Sequence, residues 1–213
     1  MSGIKTISIG LFVVVLATGV WAGSACLFGG KEPVSETQTK GGPLKQIILL
    51  PLGKQLPKSF TESIYQKIKG IVPDVVLYPT EALPQAAYYP ARNRYRADSL
   101  IAWMARRAGP NQVYAGITRM DISTTKNEFK DWGVMGLGYQ PGKACVSSDY
   151  LLKKNKSAFW KVVVHELGHT TGLPHCPIKT CFMRDAEGGN PTDEEKEFCP
   201  SCKSHLLKSG WKL

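Results

Sequence analysis

Three of the four histidines in this chain fall within eleven residues: His165-Glu166-Leu167-Gly168-His169-Thr170-Thr171-Gly172-Leu173-Pro174-His175. A spacing of i, i+4 puts His165 and His169 on one helix face, a turn apart, so both imidazoles can reach one ion. Gly172 suits a left-handed helix end, and Pro174 stops the helix from resuming. The chain must then turn, which can swing His175 back as a third ligand. Three protein ligands leave a fourth position open, the arrangement of a catalytic zinc and not of a closed structural one. Glu166 follows the first ligand directly and need not bind the metal. It can stand beside the water that the ion activates and accept its proton.

A second constellation begins at the next residue. Cys176 follows His175, Cys181 follows after four residues and Met183 two further on. Cys199-Pro200-Ser201-Cys202 closes the set. Close cysteine pairs with gaps of four and two suit a tetrahedral zinc better than well-formed short disulfides, although two disulfides stay open as the alternative. Met183 taken alone reads as core packing. Cys145 reads as a small buried strand residue, and His205 as an exposed helix residue without a role.

The full string, HExxHxxGxxH-C-x4-C-x-M followed by C-x2-C, resembles the archaemetzincin family of the metzincin clan. The resemblance implies that His165, His169 and His175 hold a catalytic zinc and that Glu166 is the general base. It implies a structural zinc on Cys176, Cys181, Cys199 and Cys202, hence two zinc ions per chain. It makes Met183 the residue of the turn beneath the catalytic metal. The implied function is a zinc-dependent peptidase acting on peptide or protein substrates. The alternative is a catalytically silent, zinc-stabilised binding module. One departure is the fifteen-residue gap between Met183 and Cys199, slightly shorter than the family pattern. That gap holds Gly188-Gly189-Asn190-Pro191, a loop in which deletions cost little. Thr192-Asp193-Glu194-Glu195 reads as the start of a helix that carries Cys199 and Cys202 into place.

These residues need a scaffold. Ser157 to Thr171 reads as the helix bearing the first two histidines, with Ser157 as N-cap and Phe159, Val162, Val163 and Leu167 as its apolar face. Strands are expected at Gln46 to Leu52, Pro73 to Tyr78 and Asn111 to Thr118, and helices at Ser59 to Lys69 and Arg96 to Ala108. Two short strands are expected around the turn Gln140-Pro141-Gly142. The fold class is therefore α/β. Residues 44–213 form a single metzincin-like domain: a twisted mixed sheet backed by helices, a zinc-binding helix and a smaller C-terminal subdomain. The resemblance implies an exposed edge strand within 133–147 that binds substrate by β-augmentation. Its glycines suit either close approach of a substrate backbone or plain loop flexibility.

The N-terminus reads as an address. Lys5, an apolar run from Ile7 to Val20 and small residues up to Ala25 make residues 1–25 a signal peptide. Gly23-Ser24-Ala25-Cys26 resembles a lipobox with Cys26 as the lipidated residue, although an aliphatic residue is usual where Gly23 stands. Ordinary secretion and an uncleaved anchor are the alternatives. Residues 26–43 read as a flexible tether. An exported, membrane-anchored lipoprotein of the cell envelope follows, and a monomer is expected. Export sits awkwardly with a four-thiolate site, because oxidising compartments favour disulfides.

Net charge is +10 over the whole chain. Basic residues cluster at Arg92, Arg94, Arg96, Arg106 and Arg107, and again at Lys153, Lys154, Lys156 and Lys161. A solvated basic face is the plain reading. Attraction to anionic headgroups or acidic peptides is the functional one. No base-reading motif accompanies the charge, so nucleic acid is not an expected partner.

Overall fold

The computed structural model describes residues 45–54 and 56–213. The expected signal peptide and tether, with Cys26, lie outside the described residues. Among those described, no helix is long and apolar enough to cross a membrane.

Five strands make the principal sheet: β1 (Gln46–Leu52), β2 (Val75–Leu77), β5 (Gln112–Thr118), β8 (Gly136–Gly138) and β9 (Ala144–Ser148), in the order β2-β1-β5-β9-β8. All pairs are parallel except β8 with β9, so the sheet is mixed and β8 is its antiparallel edge. Strand β1 is apolar nearly throughout because both faces are covered. Ile47 and Leu49 pack with α1 (Lys58–Lys69) and α3 (Phe159–Thr170), whereas Ile48, Leu50 and Leu52 pack with α2 (Ala97–Ala105). The same alternation sends Cys145 of β9 toward α3 and its neighbours Ala144 and Val146 toward α2, as a period of two requires. Cys145 is fully buried, as expected of a small strand residue.

Helix α3 buries Phe159, Val163, Val164 and Leu167 on the sheet. Each such side chain stabilises the packed helix by about 1.5–3 kcal/mol. Its beginning differs from expectation. A 3-10 turn, Lys156–Ala158, precedes the helix, and the Ser157 hydroxyl donates to Asn155 Oδ1 instead of capping α3. Its end is a Schellman motif: Gly172 N–H donates to His169 O and Leu173 N–H to Gly168 O, with Gly172 at φ 102°.

A second sheet was not anticipated. Strands β3 (Tyr88–Tyr89), β4 (Arg94–Arg96), β6 (Ile122–Lys126) and β7 (Phe129–Val134) run in the order β3-β4-β6-β7. It takes up Arg94 and Arg96 of the first basic cluster, while Arg92 and Arg106 stay exposed. Arg94 pairs with Asp121 at 2.7 Å and Asp131 at 3.5 Å, and Arg96 reaches Asp131 and Asp98. Arg107 of the same cluster forms a two-pronged pair with Glu81.

The C-terminal residues do not form a separate core. Phe182, Met183, Phe198, Leu206 and Trp211 join the cluster beneath α3. Thr192 to Glu195 make turns and no helix. The last helix, α4 (Pro200–Lys208), starts only at the CPSC segment, with Cys199 as its N-cap residue. His205 on α4 is half-buried, and its Nε2 lies 3.0 Å from Thr171 O at the end of α3, so it is not the idle surface residue expected.

Candidate active site and metal centre

His165 and His169 project from the same face of α3, and the turn that begins at Gly172 returns His175 to them. The three rings form a triangle with centroids 4.6, 4.8 and 5.3 Å apart. One nitrogen from each lies within 4.8 Å of the others, and the Nε2 atoms of His165 and His169 are 3.0 Å apart. A tetrahedral zinc with Zn–N near 2.0–2.1 Å separates its nitrogens by about 3.3 Å, so the cluster fits that ion.

The opposite nitrogens are occupied in a way that fixes the tautomers. His165 Nδ1–H donates to Phe182 O and His169 Nδ1–H donates to Leu173 O, each at 2.7 Å. Asp185 Oδ2 stands 3.3 Å from His175 Nδ1. Each Nε2 lone pair is thereby left facing the centre. Burial, then the neighbouring His169, pushes His165 down to about 3, and burial also lowers His169. Neutral imidazoles are what a metal requires.

Glu166 lies on the cleft side of α3, 6% exposed, and burial pushes its carboxyl up to about 8. The reason it fits there is glycine. A Cβ on Gly136 would come within 2.6 Å of Glu166 Cγ, and one on Gly138 within 2.7 Å of Glu166 O. The edge-strand glycines thus give clearance for the helix and its carboxylate, a role neither sequence reading named. Gln140 Nε2 donates to Gly172 O and Gly142 N–H to Thr170 O, which ties the β8–β9 turn to the end of α3. Beside these residues runs a cleft of about 650 Å³, with β7 and β8 on one side and residues 184–195 on the other.

Met183 is fully buried in a turn closed by Arg184 N–H donating to Cys181 O. Gly168, between the two helix histidines, makes room for it, since a Cβ there would overlap Met183 Sδ. The turn passes directly under the metal-facing helix, where the family resemblance put it.

Cys176, Cys181, Cys199 and Cys202 converge with sulfurs within 4.8 Å of one another, and all are free thiols. Cys176 and Cys199 are 3.7 Å apart. A tetrahedron with Zn–S near 2.3 Å has edges of about 3.75 Å, whereas a disulfide is about 2.05 Å long. Backbone N–H groups of Met183 and Cys199 donate to Cys181 Sγ. Burial raises the Cys181 and Cys202 thiols. At Cys199, hydrogen bonds from Cys202 and the other sulfurs outweigh burial and bring the thiol below its usual range. The cluster is coupled to the histidines by sequence and by Cys176 N–H donating to Met183 O at 2.7 Å.

Sequence reasoning named the histidines, Glu166, Met183 and the cysteines, and the fold brings each set together. It missed Asp185, whose only signal was its place two residues after Met183, and the clearance glycines.

Comparison with known proteins agrees with this geometry. Residues 46–208 match the family described as Peptidase family M54. A curated archaemetzincin of Haloquadratum walsbyi is 31% identical over 174 residues, spanning 74% of this chain and 97% of that protein. One from Haloarcula marismortui is 33% identical over 149 residues, 63% of this chain and 83% of that protein. The crystal structure of archaemetzincin from Methanopyrus kandleri superposes with a TM-score of 0.65 at 24% identity, covering 79% of this chain and 97% of the other. That of the Archaeoglobus fulgidus protein, complexed with malonate, gives 0.62 at 25%, covering 75% and 99%. With a match of this extent and curated relatives that share its sequence, the chain belongs to peptidase family M54, and it is a zinc metallopeptidase.

Proposed function

We propose that Glu166 is the general base of peptide hydrolysis and that the chain holds two zinc ions. One sits among His165, His169 and His175, and the other among Cys176, Cys181, Cys199 and Cys202. The observation that carries this is the convergence of three imidazole nitrogens beside a buried carboxyl at the wall of an open cleft. Zinc at the three histidines supplies Lewis-acid polarisation and makes water acidic, with a pKa near about 7.

The residues of the chain do the rest. A peptide aligns along β8, whose outer edge carries no further strand among the described residues. Glu166 takes a proton from the attacking water and delivers it to the amine nitrogen that leaves. Its raised proton affinity serves the second act, and a cation beside it favours the ionised form needed for the first. Met183 and Gly168 hold the floor beneath the histidines, and Asp185 orients His175.

We further propose export, with membrane attachment through lipidated Cys26, and action as a monomer. The support is the run from Lys5 to Cys26, and mass spectrometry of the mature N-terminus tests it. An intact Met1 or an unmodified Cys26 sinks the anchor.

The decisive experiment measures zinc content and peptide-library cleavage together. Glu166→Gln is expected to keep both zinc ions and lose cleavage by roughly a hundredfold or more. His169→Ala is expected to lose the histidine-site zinc and cleavage alike. Wild-type turnover in Glu166→Gln overturns the base assignment. Full zinc loading of the wild type without turnover on any peptide favours a silent binding module.

A further inference from the structure

One region of the cleft has chemistry that hydrolysis does not use. Thr192 and Glu195 are the most buried polar residues lining it, 2% and 4% exposed. Neither side chain has a partner among the described residues. The Thr192 hydroxyl is buried without a hydrogen bond, and no hydrogen bond or ion pair reaches the Glu195 carboxyl. Orphaned polar groups in a native cavity call for a ligand that completes them.

The position is defined by α3. Lys161 Nζ donates to Thr192 O and Glu195 O, both at 2.6 Å, which pins this turn to the helix. Lys161 precedes His165 by four residues, so its backbone stands about 6 Å along the helix axis from that of the first histidine. That is the reach of a side chain on a residue flanking the scissile bond. Val162, Leu151 and Pro191 also line the cleft and are apolar. Apolar walls with a buried carboxyl and hydroxyl suit a long aliphatic stem carrying a donor head. Lys161 and Arg184 draw the carboxyl down electrostatically without a hydrogen bond or ion pair to it: Lys161 donates to carbonyls and Arg184 pairs with Glu194 at 2.7 Å.

We propose that Glu195 and Thr192 form a specificity pocket that selects peptides carrying lysine or arginine beside the scissile bond. The inference rests on the proposed binding of substrate in this cleft. The basic side chain lays its methylenes against Val162 and Leu151 and donates to the Glu195 carboxylate and Thr192 hydroxyl. Burial raises the Glu195 carboxyl to about 7, and an incoming cation offsets that penalty.

The test uses binding, so it does not depend on turnover. Dipeptide hydroxamates bearing lysine, arginine, glutamine, norleucine or glutamate are titrated into zinc-loaded wild type, Glu195→Gln and Thr192→Val. On the wild type, lysine and arginine are expected to bind roughly tenfold or more tighter than norleucine. The ratio is expected to collapse toward one in Glu195→Gln and to shrink in Thr192→Val. The proposal is overturned if the wild type shows no basic preference, if glutamine does as well as lysine, if nothing binds, or if Glu195→Gln keeps the preference. The wild-type series stands even if a variant folds poorly. Basic selectivity without cleavage of the matching peptides leaves the pocket assignment intact and sinks the catalytic one.

Discussion

Gly136 occupies a position where the chemistry of one residue dictates the absence of a side chain at another. Its backbone is not in the left-handed region, so an alanine is conformationally acceptable, and the obstacle is the Glu166 side chain that its Cβ would overlap. Glu166 cannot give way toward the helix interior, since it is buried with Gly138 against its own carbonyl. The carboxylate must therefore rotate away from the place where, as proposed, it takes the proton of the attacking water. Gly136→Ala is expected to keep zinc at the three histidines and lower kcat by about tenfold to a hundredfold, because sub-ångström misplacement of a base is costly. Metal analysis together with steady-state kinetics checks it. A near-wild-type kcat with full zinc shows that the edge strand moves instead and that Gly136 serves only the backbone.

At the scale of elements, the third ligand depends on how α3 ends. Gly172 at φ 102° closes the Schellman motif and redirects the chain, and a Cβ there meets nothing within 4 Å. Gly172→Ala therefore adds backbone strain without a clash, about 1–2 kcal/mol. The expected result is a modest loss of thermal stability with a weaker hold on zinc, both read from a chelator-competition melt. Unchanged zinc affinity means that Asp185 and the Met183 turn alone place His175. This motif was legible because its signal is local: Gly172 and Pro174 stand next to the histidines they redirect. Strands β1 and β5 and the helices α1 and α3 were legible for the same reason: the strands as continuous apolar runs covered on both faces, the helices as apolar periods facing one core. The second sheet was not. Its strands carry Arg94, Arg96 and Asp131, and they cohere through ion pairs between residues distant in sequence. The turns from Thr192 to Glu195 resembled a helix start, but Lys161 takes carbonyls that a helix would give to its own N–H groups. Asp185 beside His175, and Glu166 against Gly136, are likewise products of tertiary placement that spacing does not encode.

The whole molecule couples its two clusters unequally. His165 and His169 stand on a helix whose apolar face is buried whether or not metal is bound. His175 instead hangs in the segment between Gly172 and Met183, which the thiol cluster fastens to α4 and to the common core. With zinc at both clusters as proposed, removing the thiol-site ion is expected to free the third histidine, whereas removing the histidine-site ion is expected to leave the thiols fastened. The energies favour a large effect: a structural zinc contributes about 10–16 kcal/mol in small peptides, comparable with the whole stability of a domain. Even a net loss of about 3 kcal/mol lowers the melting midpoint of a chain this size by roughly 6–12 °C. Cys202→Ser is thus expected to melt at least that much lower and to bind zinc at the histidines roughly tenfold more weakly or worse. His169→Ala is expected to keep one zinc and most of its thermal stability. Metal content and calorimetry on the two variants decide the matter. Equal destabilisation by both, or loss of both ions from His169→Ala, shows that the dependence runs in both directions and that the thiol site is no independent foundation for the catalytic one.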